Sequence, residues 1–99
     1  MEFKLKIGDI IKEGKSTIVI LDEASFCYKI KAERNGASGN RLISKSILEE
    51  FVKYVKLNPN CSSRDARDYL SGRSENDKYE YGYDSTYCIL AKEVIRRVF

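Results

Sequence analysis

The sequence predicts a single α+β domain spanning residues 1–99, in which an N-terminal four-stranded antiparallel meander or small SH3-like barrel packs against three C-terminal helices. Residues 3–44 are rich in β-branched and aromatic side chains and are punctuated by turn formers, a pattern typical of strands. After residue 45, apolar side chains recur at helical spacing instead. A chain of 99 residues, 42% hydrophobic and 33% charged, can build one hydrophobic core and no more.

The first two strands are predicted from apolar runs bounded by turn formers. Residues 3–11 form the first strand, with a break expected near Gly8 because glycine weakens a strand interior. Residues 17–21 are almost continuously apolar and follow Gly14, so we expect a central strand there. A short turn at Asp22-Glu23 should end it.

Strict alternation predicts the third strand, with Phe26, Tyr28, Ile30 and Ala32 facing the core and the intervening side chains facing water. Residues 35–40 contain two glycines and two asparagines, which tolerate positive φ angles, so we expect them to form a hairpin loop. Residues 41–43 would then be a short return strand.

Three helices are predicted at about 45–57, 62–70 and 85–98. Ser44 and Ser46 open the first one, and Ser46 with Glu49 matches a capping box. Asn58-Pro59 should end it, because the residue before proline avoids helical geometry. The last helix carries the chain to its final residue, a pattern that leaves open whether the chain is an N-terminal piece of a longer protein.

Composition argues against most catalysis. There is no histidine, which removes the usual general base and the commonest metal ligand. Cys27, Cys61 and Cys88 lack the paired spacing of a zinc or redox site, so we interpret them as reduced, mostly buried thiols. No leader or membrane span is evident, and we expect a cytoplasmic protein without cofactor or metal. Glu2-Phe3-Lys4 has the Glu-x-Lys form of metal-dependent nucleases, which keeps a nuclease fragment as an alternative.

Two groups of residues are candidates for a nucleic-acid interface. The net charge of +3 is a mild excess, so it is the distribution of charge that must show whether the chain offers a surface for a polyanion. In the first group, alternating tyrosines would offer rings for base stacking and nearby cations would hold phosphate. The alternative is that the tyrosines pack over the sheet, and the acidic residues among them count against a phosphate-facing loop. This group consists of Arg73, Lys78, Tyr79, Tyr81 and Tyr83.

The second group surrounds the predicted hairpin. Its cations would contact phosphates, and its asparagines would contact base edges, if the side chains converge on one surface. The alternative is an ordinary solvated strand face. The group consists of Lys29, Lys31, Arg34, Asn35, Asn40, Arg41 and Lys45.

A third basic group lies at the predicted start of the second helix. Arg64 and Arg67, with Ser62 and Ser63, suit an anion because free backbone donors and the helix dipole favour negative charge there. Ordinary helix capping is the alternative explanation.

Several segments together resemble small N-terminal modules that precede nuclease domains in bacterial restriction-type proteins. They are residues 40–45, 48–51, 58–59, 66–70 and 78–83. The resemblance covers about residues 40–83 and contains no diagnostic motif or catalytic part. It implies a DNA-recognition or assembly role in a bacterial or phage defence context.

The sequence therefore predicts a non-catalytic nucleic-acid-binding module, with DNA favoured over RNA. The alternative is a protein-interaction or inhibitor module, such as a phage-encoded antagonist of a host enzyme, in which tyrosines would anchor the interface. A homodimer is compatible with either function.

Overall fold

The computed structural model describes residues 2–60 and 86–99, and it confirms the α+β class. Four strands come first and two described helices follow. The predicted helix at 62–70 lies outside the described residues. The elements are β1 (Ile10–Glu13), β2 (Ser16–Glu23), β3 (Cys27–Arg34), β4 (Ala37–Ser44), α1 (Lys45–Leu57) and α2 (Thr86–Val98).

The strands form an open antiparallel sheet in the order β1-β2-β3-β4, so the predicted meander is confirmed and the barrel alternative is wrong. One face of the sheet packs on the helices and carries buried isoleucines from every strand: Ile11, Ile18, Ile20, Ile30 and Ile43. Because side chains alternate along a strand, the residues between these isoleucines point away from the helices. We call the two sides the inner and outer faces.

The N-terminal prediction was wrong in its boundaries, because residues 3–9 are not a strand. Phe3 and Leu5 are buried in the core, as expected, but Lys4 between them has a φ of 58°. Gly8 has a φ of 93°, and the backbone N–H of Asp9 donates to the carbonyl of Lys6 across 3.0 Å. Positive φ angles turn the chain away from extended geometry, so the strand begins only at Ile10.

The β2–β3 and β3–β4 turns of the meander both differ from their predictions. The predicted loop at 35–40 is a turn of two residues, Asn35 and Gly36, whose φ angles of 55° and 82° fit the tight hairpin turn that Asn-Gly favours. β4 is therefore much longer than residues 41–43. The turn expected at Asp22-Glu23 lies later, because an irregularity between Ile20 and Asp22 lets β2 continue until Glu23 pairs with Tyr28.

The helix ends are close to their predictions. α1 begins after Ser44, whose hydroxyl accepts from the backbone N–H of Ile47 at 3.5 Å, so Ser44 and not Ser46 is the N-cap. Asn58 ends the helix, as predicted. The apolar stripes of α1 and α2 meet in the core, where the rings of Phe51 and Tyr87 stack with centroids 5.3 Å apart.

An ion-pair network attaches the N-terminal segment to α2. The Arg97 guanidinium contacts the carboxylates of Asp9 and Glu93 and donates to the carbonyl of Lys4 across 3.1 Å. The hydrogen bond from Arg97, with another from the Lys6 backbone, lowers the pKa of Asp9. Burial acts to raise the pKa of Glu93, but hydrogen bonds from Arg97 and Arg96 outweigh it and leave that pKa lowered.

Candidate functional site

The outer face of the sheet brings together part of the second predicted group. On β3, Lys29 and Lys31 alternate with Tyr28 and Ile30, which are buried, so both lysines point outward. In the strand register, Lys31 lies opposite Asn40 on β4 and opposite Val19 on β2. We call this surface the lysine face. It comprises Ile10 and Lys12 of β1, Val19 of β2, Lys29 and Lys31 of β3, and Asn40 and Leu42 of β4.

The positive charges of the lysine face are not neutralised by direct pairing within residues 2–60 and 86–99. None of Lys12, Lys29 and Lys31 has an ion pair there, and all three are exposed. Two carboxylates lie nearby: Glu33 is two positions after Lys31, and Asp22 is opposite Lys29. With these two carboxylates, the three lysines leave a formal excess of one positive charge on this side of the sheet.

The two arginines of the predicted group lie on the other side of the sheet. Arg41 is opposite the fully buried Ile30, so it belongs to the inner face near the end of the hairpin. Arg34 and Arg41 both line a cleft of about 350 Å³ that also involves Thr86 and Ile89 of α2. The structure thus brings the arginines together on the inner side of the sheet. Arg41 also lines a second cleft together with Leu42 of the lysine face.

The remaining members of the group also occupy separate places. Asn35 is the first residue of the tight hairpin turn, whereas Asn40 lies on the lysine face. The Lys45 ammonium is 2.6 Å from the Glu23 carboxylate and 4.9 Å from the centroid of the Tyr28 ring. Lys45 is therefore held in an ion pair and does not join the exposed cations.

The Tyr28 hydroxyl lies in this charged environment next to the core. Burial, together with the negative charge of Glu23 and a hydrogen bond to it, raises the pKa of Tyr28 to about 12. The phenol therefore stays protonated at neutral pH. The group of Glu23, Tyr28 and Lys45 joins the β2–β3 turn to the start of α1.

Glu2 and Lys4, the two members of the Glu-x-Lys tripeptide, line a separate cleft of about 580 Å³ with Lys6, Tyr28 and Lys45. Within the part of the chain that the structure describes, no three His, Cys, Asp or Glu side chains are grouped so that they could hold a metal ion.

The predicted tyrosine group, Arg73, Lys78, Tyr79, Tyr81 and Tyr83, lies outside the described residues. The same is true of the third group, formed by Ser62, Ser63, Arg64 and Arg67, and of Cys61. Cys88 is fully buried in the core, as expected, and Cys27 is half-buried on the outer face.

Sequence reasoning missed Phe26. It was expected on the core face of the third strand, but β3 begins one residue later and the Phe26 side chain is 84% exposed. It borders a cleft of about 320 Å³ with Cys27, Leu42 and Ile47. The small polar residues before it, Ala24-Ser25, were the available signal that the turn extends to this position.

No protein-family model, curated protein or solved structure matches this chain significantly. The resemblance of residues 40–83 to restriction-type modules therefore stays a prediction. Among residues 2–60 and 86–99, no helix has the length and apolar character needed to cross a bilayer.

Proposed function

We propose that this domain binds nucleic acid without catalysing a reaction, and that the lysine face is the binding surface. The observation that supports the proposal best is the placement of Lys29 and Lys31, two exposed cations on one strand, without an ion pair in the described part of the chain. Two positions along a strand separate them by roughly 7 Å, so each ammonium can contact its own phosphate.

Asn40 adds a second kind of contact. It lies directly opposite Lys31 and is exposed, and an asparagine amide can donate to and accept from a base edge. In this arrangement the lysines contribute affinity through phosphates and Asn40 contributes sequence preference. Neither the arginine cleft nor Lys45 is needed for the proposed contacts. We retain DNA as the favoured ligand, and a bacterial or phage defence setting, on the strength of the sequence resemblance.

Salt dependence tests this proposal. Fluorescence anisotropy would measure the affinity of the wild type for single-stranded DNA, duplex DNA and RNA between 50 and 200 mM salt. Over this range, added salt steeply weakens binding that depends on phosphate contacts. The double variant Lys29→Gln/Lys31→Gln should bind more weakly. Its log–log salt slope should fall in magnitude by about 1.4 for single strands and about 1.8 for duplex.

The matched control is Lys53→Gln/Lys56→Gln, which makes the same change in net charge on exposed positions of α1. It should leave affinity and slope nearly unchanged. If both double variants weaken binding equally, the attraction depends on net charge and the lysine face is not the site. If the wild type binds none of the three ligands at micromolar concentration, the proposal is wrong.

We propose a protein-interaction or inhibitor module as the second candidate, because apolar side chains accompany the lysines. Ile10 and Leu42 on the lysine face are 61% and 67% exposed, and exposed apolar surface with basic neighbours also suits an acidic protein partner or a second copy of the chain. Light scattering should then detect a homodimer that Leu42→Asn dissociates, or the domain should co-purify with one host protein in nuclease-treated lysate.

A further inference from the structure

The cleft beside Phe26 has the features of a site for a flat group with apolar faces and polar edges. Phe26, Leu42 and Ile47 supply apolar walls to a space of about 320 Å³, and the polar side chains of Arg41, Ser44 and Tyr87 also line it. The Phe26 ring is almost fully exposed and has no hydroxyl group that could hydrogen-bond to water, so covering it with a ligand is favourable.

Hydrogen bonds hold the backbone that carries this ring in a defined place. The N–H of Ala24 donates to the carbonyl of Cys27 at 2.8 Å, which closes the turn around Phe26. The carbonyl of Phe26 accepts from the N–H of Lys45 at 2.9 Å, which joins the turn to the first residue of α1. Because its backbone is fixed on both sides, only the side-chain torsions of Phe26 have to be ordered when a ligand covers the ring.

The cleft is continuous with the lysine face. Leu42, one wall of the cleft, lies directly opposite Lys29 in the register of β3 and β4. Cys27, another wall, precedes Lys29 by two residues on the same side of β3. A polyanion whose phosphates contact Lys29 and Lys31 therefore passes beside the cleft, and its charge is complementary to that of the surface it follows.

We infer that the cleft receives an unpaired nucleobase stacked on Phe26, so that the lysine face prefers single-stranded nucleic acid. This inference rests on the proposed function and specifies its substrate class. In a duplex each base is covered by its neighbours and paired, so filling the cleft would require unstacking. In a single strand the base rotates freely, and every base has a face that can stack on an aromatic ring.

Three oligonucleotides of equal length separate the contribution of phosphate contacts from that of base stacking. They are oligothymidylate, the corresponding duplex, and an abasic strand that keeps the phosphates but has no bases. The wild type should bind oligothymidylate most tightly. Phe26→Ala should weaken that binding by about 5- to 150-fold, the range expected for one stacked base, and should leave duplex and abasic binding within about 2-fold.

Two further variants complete the design. Phe26→Trp keeps a stacking surface and should retain tight binding to oligothymidylate. Leu57→Ala removes another exposed apolar side chain, 82% exposed at the end of α1, and should have no effect on any of the three affinities. Circular dichroism of each variant confirms that the domain is folded.

The outcomes distinguish the stacking site from the proposed function. Salt-sensitive binding that depends on Lys29 and Lys31 but is unchanged in Phe26→Ala would overturn the stacking site and leave the proposed function in place. Duplex DNA that binds as tightly as oligothymidylate would overturn the stacking site in the same way. Absence of binding to all three oligonucleotides would remove both proposals, and a cleft for a protein side chain would be the remaining explanation of Phe26.

Discussion

Replacing Arg97 by methionine should destabilise the domain, because this guanidinium connects the N-terminal segment to α2. The substitution keeps an unbranched apolar stem but removes contacts with the Asp9 and Glu93 carboxylates and the hydrogen bond to the Lys4 carbonyl. Partly exposed ion pairs contribute about 0.2–1 kcal/mol each, and a hydrogen bond about 0.5–1.5 kcal/mol. We therefore expect a loss of roughly 1–3 kcal/mol in the free energy of unfolding.

Urea unfolding at pH 7 measures this loss directly, and a value of about 2 kcal/mol corresponds to a decrease in melting temperature of about 8–16 °C for a domain of this size. The control is Arg96→Met. Arg96 also contacts Glu93, but its side chain is 57% exposed and has no contact with the N-terminal segment among the described interactions. It should cost less than about 0.5 kcal/mol.

The difference between wild type and Arg97→Met should also depend on pH. The pKa values of Asp9 and Glu93 are lowered in the folded protein from their ordinary values of 3.8 and 4.5. Their contribution is therefore fully present above about pH 5 and is lost as the pH falls through the folded-state pKa values. Equal destabilisation by Arg96→Met and Arg97→Met would refute this reasoning. So would a difference in the free energy of unfolding between wild type and Arg97→Met that stays constant down to about pH 3.

Substitutions at three other places test the turn, the core and the ion pair of Lys45. Gly36→Ala should lower stability by about 1–2 kcal/mol because of its positive φ angle, whereas Gly39→Ala, with open space around it and no such angle, should change it little; thermal melting compares them. Phe51→Ala should cost about 3–5 kcal/mol, against less than about 0.5 kcal/mol for Leu57→Ala, as measured by urea titration. Lys45→Gln should change nucleic-acid affinity less than about 2-fold in the anisotropy assay, since Glu23 already pairs with Lys45.

Periodicity was sufficient to predict the order and type of the described elements. Alternation with Tyr28 and Ile30 placed Lys29 and Lys31 on the solvent side, and the three-to-four-residue spacing of apolar side chains located α1 and α2. These patterns are local, and each is repeated several times along its element. An error at one position therefore does not change the assignment.

The convergence of the basic side chains could not be predicted in the same way, because it depends on register. The two-residue turn at Asn35-Gly36 places Arg41 opposite Ile30 and so on the inner face, whereas a six-residue loop would leave the pairing undetermined. The pairing of Lys45 with Glu23 depends on how the β2–β3 turn meets α1, which no local pattern encodes. Phe26 was misplaced for a related reason, since a boundary shift of one residue moved it from strand to turn.

The alternation along β3 has a practical consequence for protein engineering. On β3 and β4 the positions of the proposed recognition surface alternate with core positions and point in the opposite direction, so a library that varies residues 29, 31, 40 and 42 leaves the isoleucine layer untouched. Effects of changes at residues 29, 31 and 40 should then combine additively with those of stabilising substitutions around α2, whereas Leu42 lines a cleft together with Tyr87 of α2 and is excluded from that expectation. Ligand preference could be evolved on this scaffold without a parallel loss of thermal robustness.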